Sequence, residues 1–170
     1  MKKLFLTLAF GSFLGLQAQN YEISTLRIGD FKLYQSKTEA DKIAKKTIDE
    51  NSDWEHPDTV NYFGENIEIV IADNYISQEN PSVKSVYSLK TKSKKFRTKS
   101  GMGVGNTRDE LLDTYRNYPN FHVTRYPDPN NPNIVESYFS LDDNDAASYL
   151  SFKMENNVVT EISVGINEGC

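Results

Sequence analysis

Cysteine and histidine are scarce in this sequence of 170 residues, which contains one cysteine, two histidines and one tryptophan. A single cysteine, Cys170, excludes an internal disulfide framework of the kind that stabilises many small exported domains. Its thiol has two interpretations, an intermolecular or redox role and a loosely held terminal residue. With only His56 and His122, and with no Gly-x-Ser-x-Gly or HExxH signature, few catalytic arrangements can be built. We therefore expect a non-enzymatic protein without cofactors or metals.

Long apolar segments are missing after the N-terminus. Lys2 and Lys3 are followed by an apolar run over residues 4–16, and Ala18 is a small residue suited to cleavage. This pattern is typical of a secretory signal peptide. The run is shorter than the about 20 apolar residues of a membrane-spanning helix, so a membrane anchor is the weaker interpretation. We predict that residues 1–18 are removed and that the mature protein is periplasmic or secreted.

Basic residues are outnumbered by acidic ones. The chain has 19 lysines and arginines against 24 aspartates and glutamates, for a formal net charge of −5. This balance argues against general binding of nucleic acid. Aromatic residues make up 12% of the chain, which argues against disorder because they allow a core to be buried.

Two stretches of the chain open in the same way. SKTEADKIAKK, residues 36–46, and TRDELLDTYRN, residues 107–117, each begin with a hydroxyl residue and carry glutamate three places later. In this capping-box spacing the hydroxyl accepts from the N3 amide and the glutamate accepts from the amide of the cap residue. Apolar residues then recur at helical spacing, and Pro119 ends the second pattern. We predict one helix after Ser36 and another after Thr107.

Alternating apolar residues after each predicted helix indicate strands. Ile67, Ile69 and Ile71 share one face in the first set, and Asn156-Asn157 suits a tight turn between the last two strands. Each copy is therefore predicted to be a helix followed by three or four antiparallel strands. The resulting fold class is α+β, a tandem repeat with a first unit at residues 19–98 and a second unit with a C-terminal tail at residues 99–170. We expect the strands to join into one curved sheet with both helices on one face and the other face open.

The two helix openings also carry a resemblance to a known family. In GVGNTRDELLDTY, residues 103–115, a glycine-containing turn leads into a capped helix. Together with two helix-plus-sheet units in an exported chain, this resembles the β-lactamase inhibitor protein family and the small outer-membrane lipoproteins related to it in fold. The resemblance implies that fold for residues 21–165 and an inhibitor-like binding function. The disulfides of the inhibitors and the lipid-bearing cysteine of the lipoproteins have no counterpart here, so no particular target carries over.

Three short motifs invite a ligand-binding interpretation. GMGVGNT, residues 101–107, precedes a helix N-terminus that favours anions, but it lacks the lysine and the glycine spacing of nucleotide-binding loops. A strand-to-helix turn explains it instead. His56 lies beside Glu55 and Asp58 without a second histidine at ligand spacing. DDNDA, residues 142–146, lacks the glycine and glutamate of a calcium loop and suits a hairpin turn. We expect no metal site at either place.

A basic segment interrupts the otherwise acidic chain. LKTKSKKFRTK contains no acid and six cations, which are Lys90, Lys92, Lys94, Lys95, Arg97 and Lys99. We predict a basic hairpin at residues 90–99 that joins the two copies. In one interpretation it binds anionic lipid or an acidic partner, which would make the protein an envelope structural or assembly factor. In the other, the lysines solvate a strand end and discourage edge-to-edge pairing.

Outward aromatic residues give the main functional prediction. Alternation places Glu136 and Tyr138 on the open face of one strand, and Tyr149 and Lys153 on the open face of the next. Tyr138 and Tyr149 are predicted to be cross-strand neighbours, and Trp54 is predicted to protrude from its polar loop. Tyrosine is frequent at interface hot spots, although ordinary cross-strand tyrosine pairing explains the same pattern. We expect a module that binds an unidentified protein partner through these five side chains.

Overall fold

The two helices each precede a set of antiparallel strands, as predicted, but three further short strands precede the first helix. The computed structural model describes residues 19–73, 83–127 and 135–167. The predicted signal peptide, residues 1–18, and the thiol of Cys170 lie outside these ranges. The described residues form a mixed α+β structure with two helices and two sheets of mostly antiparallel strands.

The first part of the chain contains seven strands and one helix. The elements in order are β1 (Glu22–Ser24), β2 (Arg27–Ile28), β3 (Phe31–Lys32), α1 (Lys37–Ala44), β4 (Asp58–Tyr62), β5 (Glu65–Asp73), β6 (Lys84–Thr91) and β7 (Arg97–Thr98). The second part contains the other helix and four longer strands. These are α2 (Arg108–Tyr115), β8 (Phe121–Pro127), β9 (Val135–Asp143), β10 (Ser148–Glu155) and β11 (Val158–Ile166).

Both helices begin where the capping pattern predicts. The Ser36 hydroxyl accepts from the Glu39 amide at 3.4 Å. Thr107 and Glu110 complete the reciprocal pair, because the Thr107 hydroxyl accepts from the Glu110 amide at 3.3 Å and the Glu110 carboxylate accepts from the Thr107 amide at 2.6 Å. That bond from the Thr107 amide lowers the pKa of Glu110. Caps of this kind stabilise a helix by about 1 kcal/mol, so packing must supply most of the stability of such short helices.

Seven strands form the large sheet, in the order β4-β5-β6-β11-β10-β9-β8. The register aligns Leu89, Val164, Leu150 and Leu141 across four neighbouring strands, and all four are buried. We call the face that carries them the inner face and the opposite one the outer face. Helix α2 packs on the inner face, where the Tyr115 ring lies 6.0 Å from Phe139 and 6.2 Å from Phe152.

The small sheet was not predicted. Its order is β3-β2-β1-β7, and β1 pairs with β7 in parallel. Contacts such as the Thr25 hydroxyl donating to Asp143 at 3.0 Å tie it to the large sheet. The prediction of a single sheet is therefore wrong. Strands of two or three residues are too short to show the alternation on which a sequence prediction depends.

The predicted duplication is not confirmed. A helix is followed by three strands of the large sheet and a second helix by four, but this order alone does not establish a repeat. The tandem repeat and its boundary between residues 98 and 99 stay a hypothesis. What the structure establishes is the coarser α+β class with its antiparallel sheet.

Two of the predicted turns are confirmed. Asn156 and Asn157 have φ of 51° and 65° in the β10–β11 hairpin, a conformation that asparagine tolerates better than most residues. The DDNDA segment leads from β9 into the β9–β10 hairpin.

The prediction of a basic hairpin at residues 90–99 is wrong. β6 belongs to the large sheet and β7 to the small sheet, so the basic segment connects two sheets. Phe96 anchors this connection because its side chain is fully buried, 5.3 Å from the Tyr21 ring and 6.1 Å from the Tyr62 ring. A buried phenylalanine in the middle of a predicted hairpin tip was the sequence signal against that prediction.

Candidate functional site

The outer face carries a ladder of alternating charges across five strands. The Lys153 ammonium lies 2.8 Å from a Glu136 carboxylate oxygen, and Lys153 faces Glu161 in the register of β10 and β11. Lys90 continues the ladder, 3.8 Å from Glu161 and 3.7 Å from Glu68. The bond to Glu136 is the main reason that the pKa of Lys153 is raised. Partly exposed pairs of this kind contribute about 0–1 kcal/mol each, so the ladder neutralises the face more than it stabilises the fold.

Tyr138 lies beside this ladder and contacts a second tyrosine. The rings of Tyr138 and Tyr126 are 5.7 Å apart at 74°, an edge-to-face arrangement. Burial raises the pKa of the Tyr138 hydroxyl, whereas the Tyr126 side chain is 58% exposed. Tyr126, which was not among the predicted site residues, therefore presents the larger accessible aromatic surface.

The predicted cross-strand pair of Tyr138 and Tyr149 does not exist. Tyr138 faces Lys153, and Tyr149 faces Asp142, so the two tyrosines lie two rows apart on the outer face. The geometry of the turn between β9 and β10 sets this register, and that geometry cannot be read from the few residues of the turn. The prediction was right that both side chains belong to the face opposite the core.

Tyr149 lies flat against the sheet. A Cβ added to Gly165 of β11 would meet the Tyr149 hydroxyl at 2.6 Å, because the phenol ring covers that glycine. Burial also raises the pKa of the Tyr149 hydroxyl. Tyr149 therefore forms part of the surface layer and offers less area to a partner than the alternation pattern suggests.

Trp54 protrudes but lies far along the sheet from Tyr138. Its side chain is 51% exposed, and its ring meets Tyr87 edge-to-face at 5.6 Å. Tyr87 is on β6, which β11 and β10 separate from β9. The structure therefore brings together Glu136, Tyr138 and Lys153 and leaves Trp54 outside that group.

The basic segment is partly neutralised by acidic neighbours. Lys95 lies 2.7 Å from Glu65, and Lys92 lies 3.6 Å from Glu161. Arg97 donates to the Val104 carbonyl at 3.0 Å, above Gly103, where its guanidinium leaves no space for a Cβ. This close approach explains one glycine of the GMGVGNT motif by packing. Lys94 and Lys99 are exposed, and contact of this segment with anionic lipid stays a prediction.

Strand β8, at one edge of the large sheet, exposes apolar side chains on both faces. Phe121 and Val123 are 36% and 45% exposed on the inner face, and Tyr126 is 58% exposed on the outer face. Phe121 stacks on buried Phe139 at 5.5 Å, so the strand is anchored on its β9 side. Long edge strands with apolar side chains are uncommon in natural proteins because they invite pairing with another chain.

The backbone of β8 also turns amides and carbonyls away from the sheet. The Asp142 amide donates to the Asn120 carbonyl at 2.8 Å, so this facing pair is a hydrogen-bonded one. Hydrogen-bonded and non-hydrogen-bonded pairs alternate along an antiparallel ladder, and three β8 residues therefore turn their amide and carbonyl away from β9: Phe121, Val123 and Arg125. No residue in the ranges that the structure describes bonds to these groups. We call β8 together with the Tyr138 side chain the β8 rim.

A histidine on the outer face has a carboxylate partner. His122 Nδ1 lies 3.0 Å from Asp142 Oδ2, and His122 faces Ser140 across the ladder. The Ser140 hydroxyl donates to Ser151 at 2.9 Å. No hydroxyl of the described chain is hydrogen-bonded to His122. This arrangement orients an imidazole without activating a serine, since a general base must reach the proton that it removes.

Two further features could be considered ligand sites, the surroundings of His56 and a cleft beside the small sheet. His56 Nδ1 lies 3.3 Å from Asp53, and the described ranges contain no group of three or more His, Cys, Asp or Glu suited to a metal. A cleft of about 550 Å³ lies between the small sheet and α2. Its lining includes Ile23 and Leu141, which are at most 3% exposed, and Leu26, which is 37% exposed.

Comparisons with known proteins do not assign this chain to a family. No protein-family model matches this sequence, and no curated protein or solved structure was found to be significantly similar to it. The resemblance to β-lactamase inhibitor proteins therefore stays a prediction. Within residues 19–73, 83–127 and 135–167, no helix has the length and hydrophobicity needed to cross a membrane.

Proposed function

We propose that this protein is an exported, non-enzymatic binding module that contacts a protein partner through the β8 rim and the adjoining outer face. The observation that carries the proposal is the edge strand β8. It combines outward backbone groups with exposed Phe121, Val123 and Tyr126. A partner strand added to such an edge gains main-chain hydrogen bonds from the backbone and specificity from alternate side chains.

The outer face supports this proposal in a secondary role. Glu136 and Lys153 hold each other at 2.8 Å beside Tyr138, so these side chains are pre-ordered and would lose little entropy on binding. Tyr126 and Tyr138 supply aromatic area next to the edge. Export is proposed from the basic start and apolar run of residues 1–18, and N-terminal sequencing of the mature protein would test it.

Site-specific photo-crosslinking in cells tests the proposed surface. A photoreactive amino acid at Val123 or Tyr126 should give adducts with another protein, whereas the same amino acid at Thr59 should not. Thr59 is the matched control because it is exposed on β4, the opposite edge strand of the same sheet. Adducts from Thr59 alone, or equal adducts from both edges, would contradict the assignment of the β8 rim.

A further inference from the structure

A groove opens beside β8 on the inner face. It measures about 480 Å³ and lies between the edge strand, the start of α2 and the β10–β11 turn. Its lining residues are Arg108, Val123, Arg125, Ser137, Asn156 and Asn157. The backbone holds the walls together, because the Arg108 amide donates to the Asn157 carbonyl at 2.9 Å.

The groove is cationic in an otherwise acidic protein. Two arginines line it, and no aspartate or glutamate is among the lining residues that the structure describes. Arg108 pairs with Asp109 at 3.2 Å, but the Asp109 side chain is 79% exposed, and such a pair is easily exchanged for another. Arg125 has no hydrogen bond or ion pair within the described parts of the chain. The asparagine amides and the Ser137 hydroxyl add further donors, so the groove is suited to an acceptor-rich, negatively charged group.

The groove and the edge strand share two residues. Val123 and Arg125 line the groove with their side chains and turn their backbone groups away from β9. In a sheet, alternate side chains of an added strand lie on the same face. A strand paired with β8 would therefore place every second side chain on the inner face, at the mouth of the groove.

We propose that the β8 rim binds an extended acidic segment of a partner protein, with a carboxylate side chain of that segment held by Arg108 and Arg125. The segment adds an eighth strand to the large sheet, and the groove selects its charge. This inference rests on the proposed function and deepens it by naming the chemistry of the partner. Charge complementarity is the argument for an acidic occupant.

Peptide binding to the mature protein tests the inference. The probes are three peptides as long as β8, with alternating threonine and valine on one face and glutamate, glutamine or lysine on the other. In fluorescence anisotropy at low salt, the glutamate peptide should bind at least about tenfold more tightly than the glutamine peptide, and the lysine peptide should bind most weakly. Raising the salt should reduce the difference between the glutamate and glutamine peptides.

Charge variants identify the groove as the source of that preference. Arg108→Gln and Arg125→Gln should each reduce the glutamate preference, and the double variant should abolish it. Arg116→Gln is the matched control, because Arg116 is exposed near the end of α2 and pairs with Asp113 as Arg108 pairs with Asp109. A glutamate preference that persists in the double variant, or that Arg116→Gln also removes, overturns the inference.

A backbone variant separates the inference from the proposed function. Val123→Pro removes an outward amide without removing a bond to β9, so it should block all three peptides while circular dichroism stays unchanged. Equal binding of the glutamate and glutamine peptides, both blocked by Val123→Pro, overturns the acidic preference and leaves the edge as a binding surface. If none of the three peptides binds, the inference is overturned, even where crosslinks at Val123 support the proposed function. Dimerisation that Val123→Pro abolishes, without peptide binding, assigns the edge to a second copy and also overturns the inference.

Discussion

The two edge strands of the large sheet, β4 and β8, differ in the bonds that they make to the rest of the protein. At β4, the Lys46 ammonium donates to the Thr59 carbonyl at 3.2 Å and pairs with the Asp58 carboxylate at 2.7 Å. The Asp49 amide donates to the same carboxylate at 2.8 Å. At β8, the outward groups of the strand have no partner in the described ranges. One edge is thus bonded by a neighbouring segment of the protein, and the other has no such partner among the residues that the structure describes.

The difference follows from the connections that leave the two helices. The chain after α1 turns at Lys45, where φ is 54°, and Lys46 and Asp49 of the following connection bond to the start of β4. The chain after α2 reaches β8 within residues 116–120 and has no comparable segment to place along that edge. Natural sheets protect their edges by such covering segments, and this is why we propose the β8 edge as the binding surface.

Removing the Asp58 carboxylate at the β4 edge should have the largest effect on stability. Asp58→Ala deletes the carboxylate that Lys46 and the Asp49 amide share, and the Asp58 side chain is only 17% exposed. We expect the free energy of unfolding to fall by about 1–3 kcal/mol, since hydrogen bonds to a charged group are lost. Urea denaturation measures this effect. Asp113→Ala, which removes an exposed carboxylate paired with Arg116, is the control and should change stability by less than about 1 kcal/mol. Equal effects of both variants would contradict the comparison.

The same carboxylate should make the β4 edge sensitive to acid. Burial raises the pKa of Asp58, but the bonds from Lys46 and the Asp49 amide outweigh it, so the pKa lies below its ordinary value of 3.8. The stabilisation is therefore present above about pH 3.8 and is lost as the pH falls through the lower, folded-state pKa. The stability difference between the natural chain and Asp58→Ala should shrink as the pH is lowered from 6 towards about 2. A difference that stays constant or grows in acid would contradict this assignment.

Hydrogen exchange should distinguish the two sides of β8. The Val123 amide points away from β9, so we expect it to exchange at least about tenfold faster than the Thr124 amide, which is bonded to β9. Exchange followed by NMR in the protein without a partner measures both rates in one strand. Equal protection of the two amides would mean that something covers the edge, and the comparison would fail.

A charge placed on the open edge should change association more than stability. Val123→Lys mimics the lysines by which natural sheets protect their edges. We expect association with the uncharged glutamine peptide to decrease in fluorescence anisotropy, while stability changes by about 0.5 kcal/mol or less because the side chain is 45% exposed. Thr59→Lys, on the covered edge, should leave association unchanged. Equal association of both variants would remove the distinction between the edges.

The smallest effect is expected from the basic segment between the sheets. Lys92→Glu with Lys94→Glu should alter flotation with anionic vesicles by no more than about twofold, because neighbouring carboxylates already offset part of this charge. Vesicle flotation at physiological salt measures it. A complete loss of flotation in the variant would favour the lipid-binding alternative over the β8 rim.

Local features of the fold could be predicted from sequence. The hydroxyl and glutamate spacing marked Ser36 and Thr107 as helix starts because a capping box uses only neighbouring residues. Asn156-Asn157 marked a hairpin for the same reason. Alternation also assigned Glu136, Tyr138 and Lys153 to the correct face, since the period of a strand is independent of its neighbours.

Non-local features could not be predicted. The register between β9 and β10 decides whether Tyr138 meets Tyr149 or Lys153, and one alternation pattern fits several registers. Strand order decides which strand is an edge, so Tyr126 and Val123 looked like any other strand residues until the topology was known. The small sheet depends on strands of two or three residues, whose identity comes from tertiary contacts alone.

The phenol of Tyr149 resting on Gly165 has a consequence for how this surface can diverge among descendants of the chain. Any side chain larger than hydrogen at position 165 would force the ring at position 149 outward, because only 2.6 Å separates a Cβ there from the hydroxyl. The two positions are thus expected to mutate together, with alanine or serine at 165 tolerated once a small residue replaces the tyrosine. The middle of the outer face can then gain a hollow or a ridge by a coupled exchange of two residues, without any change in the strands beneath it.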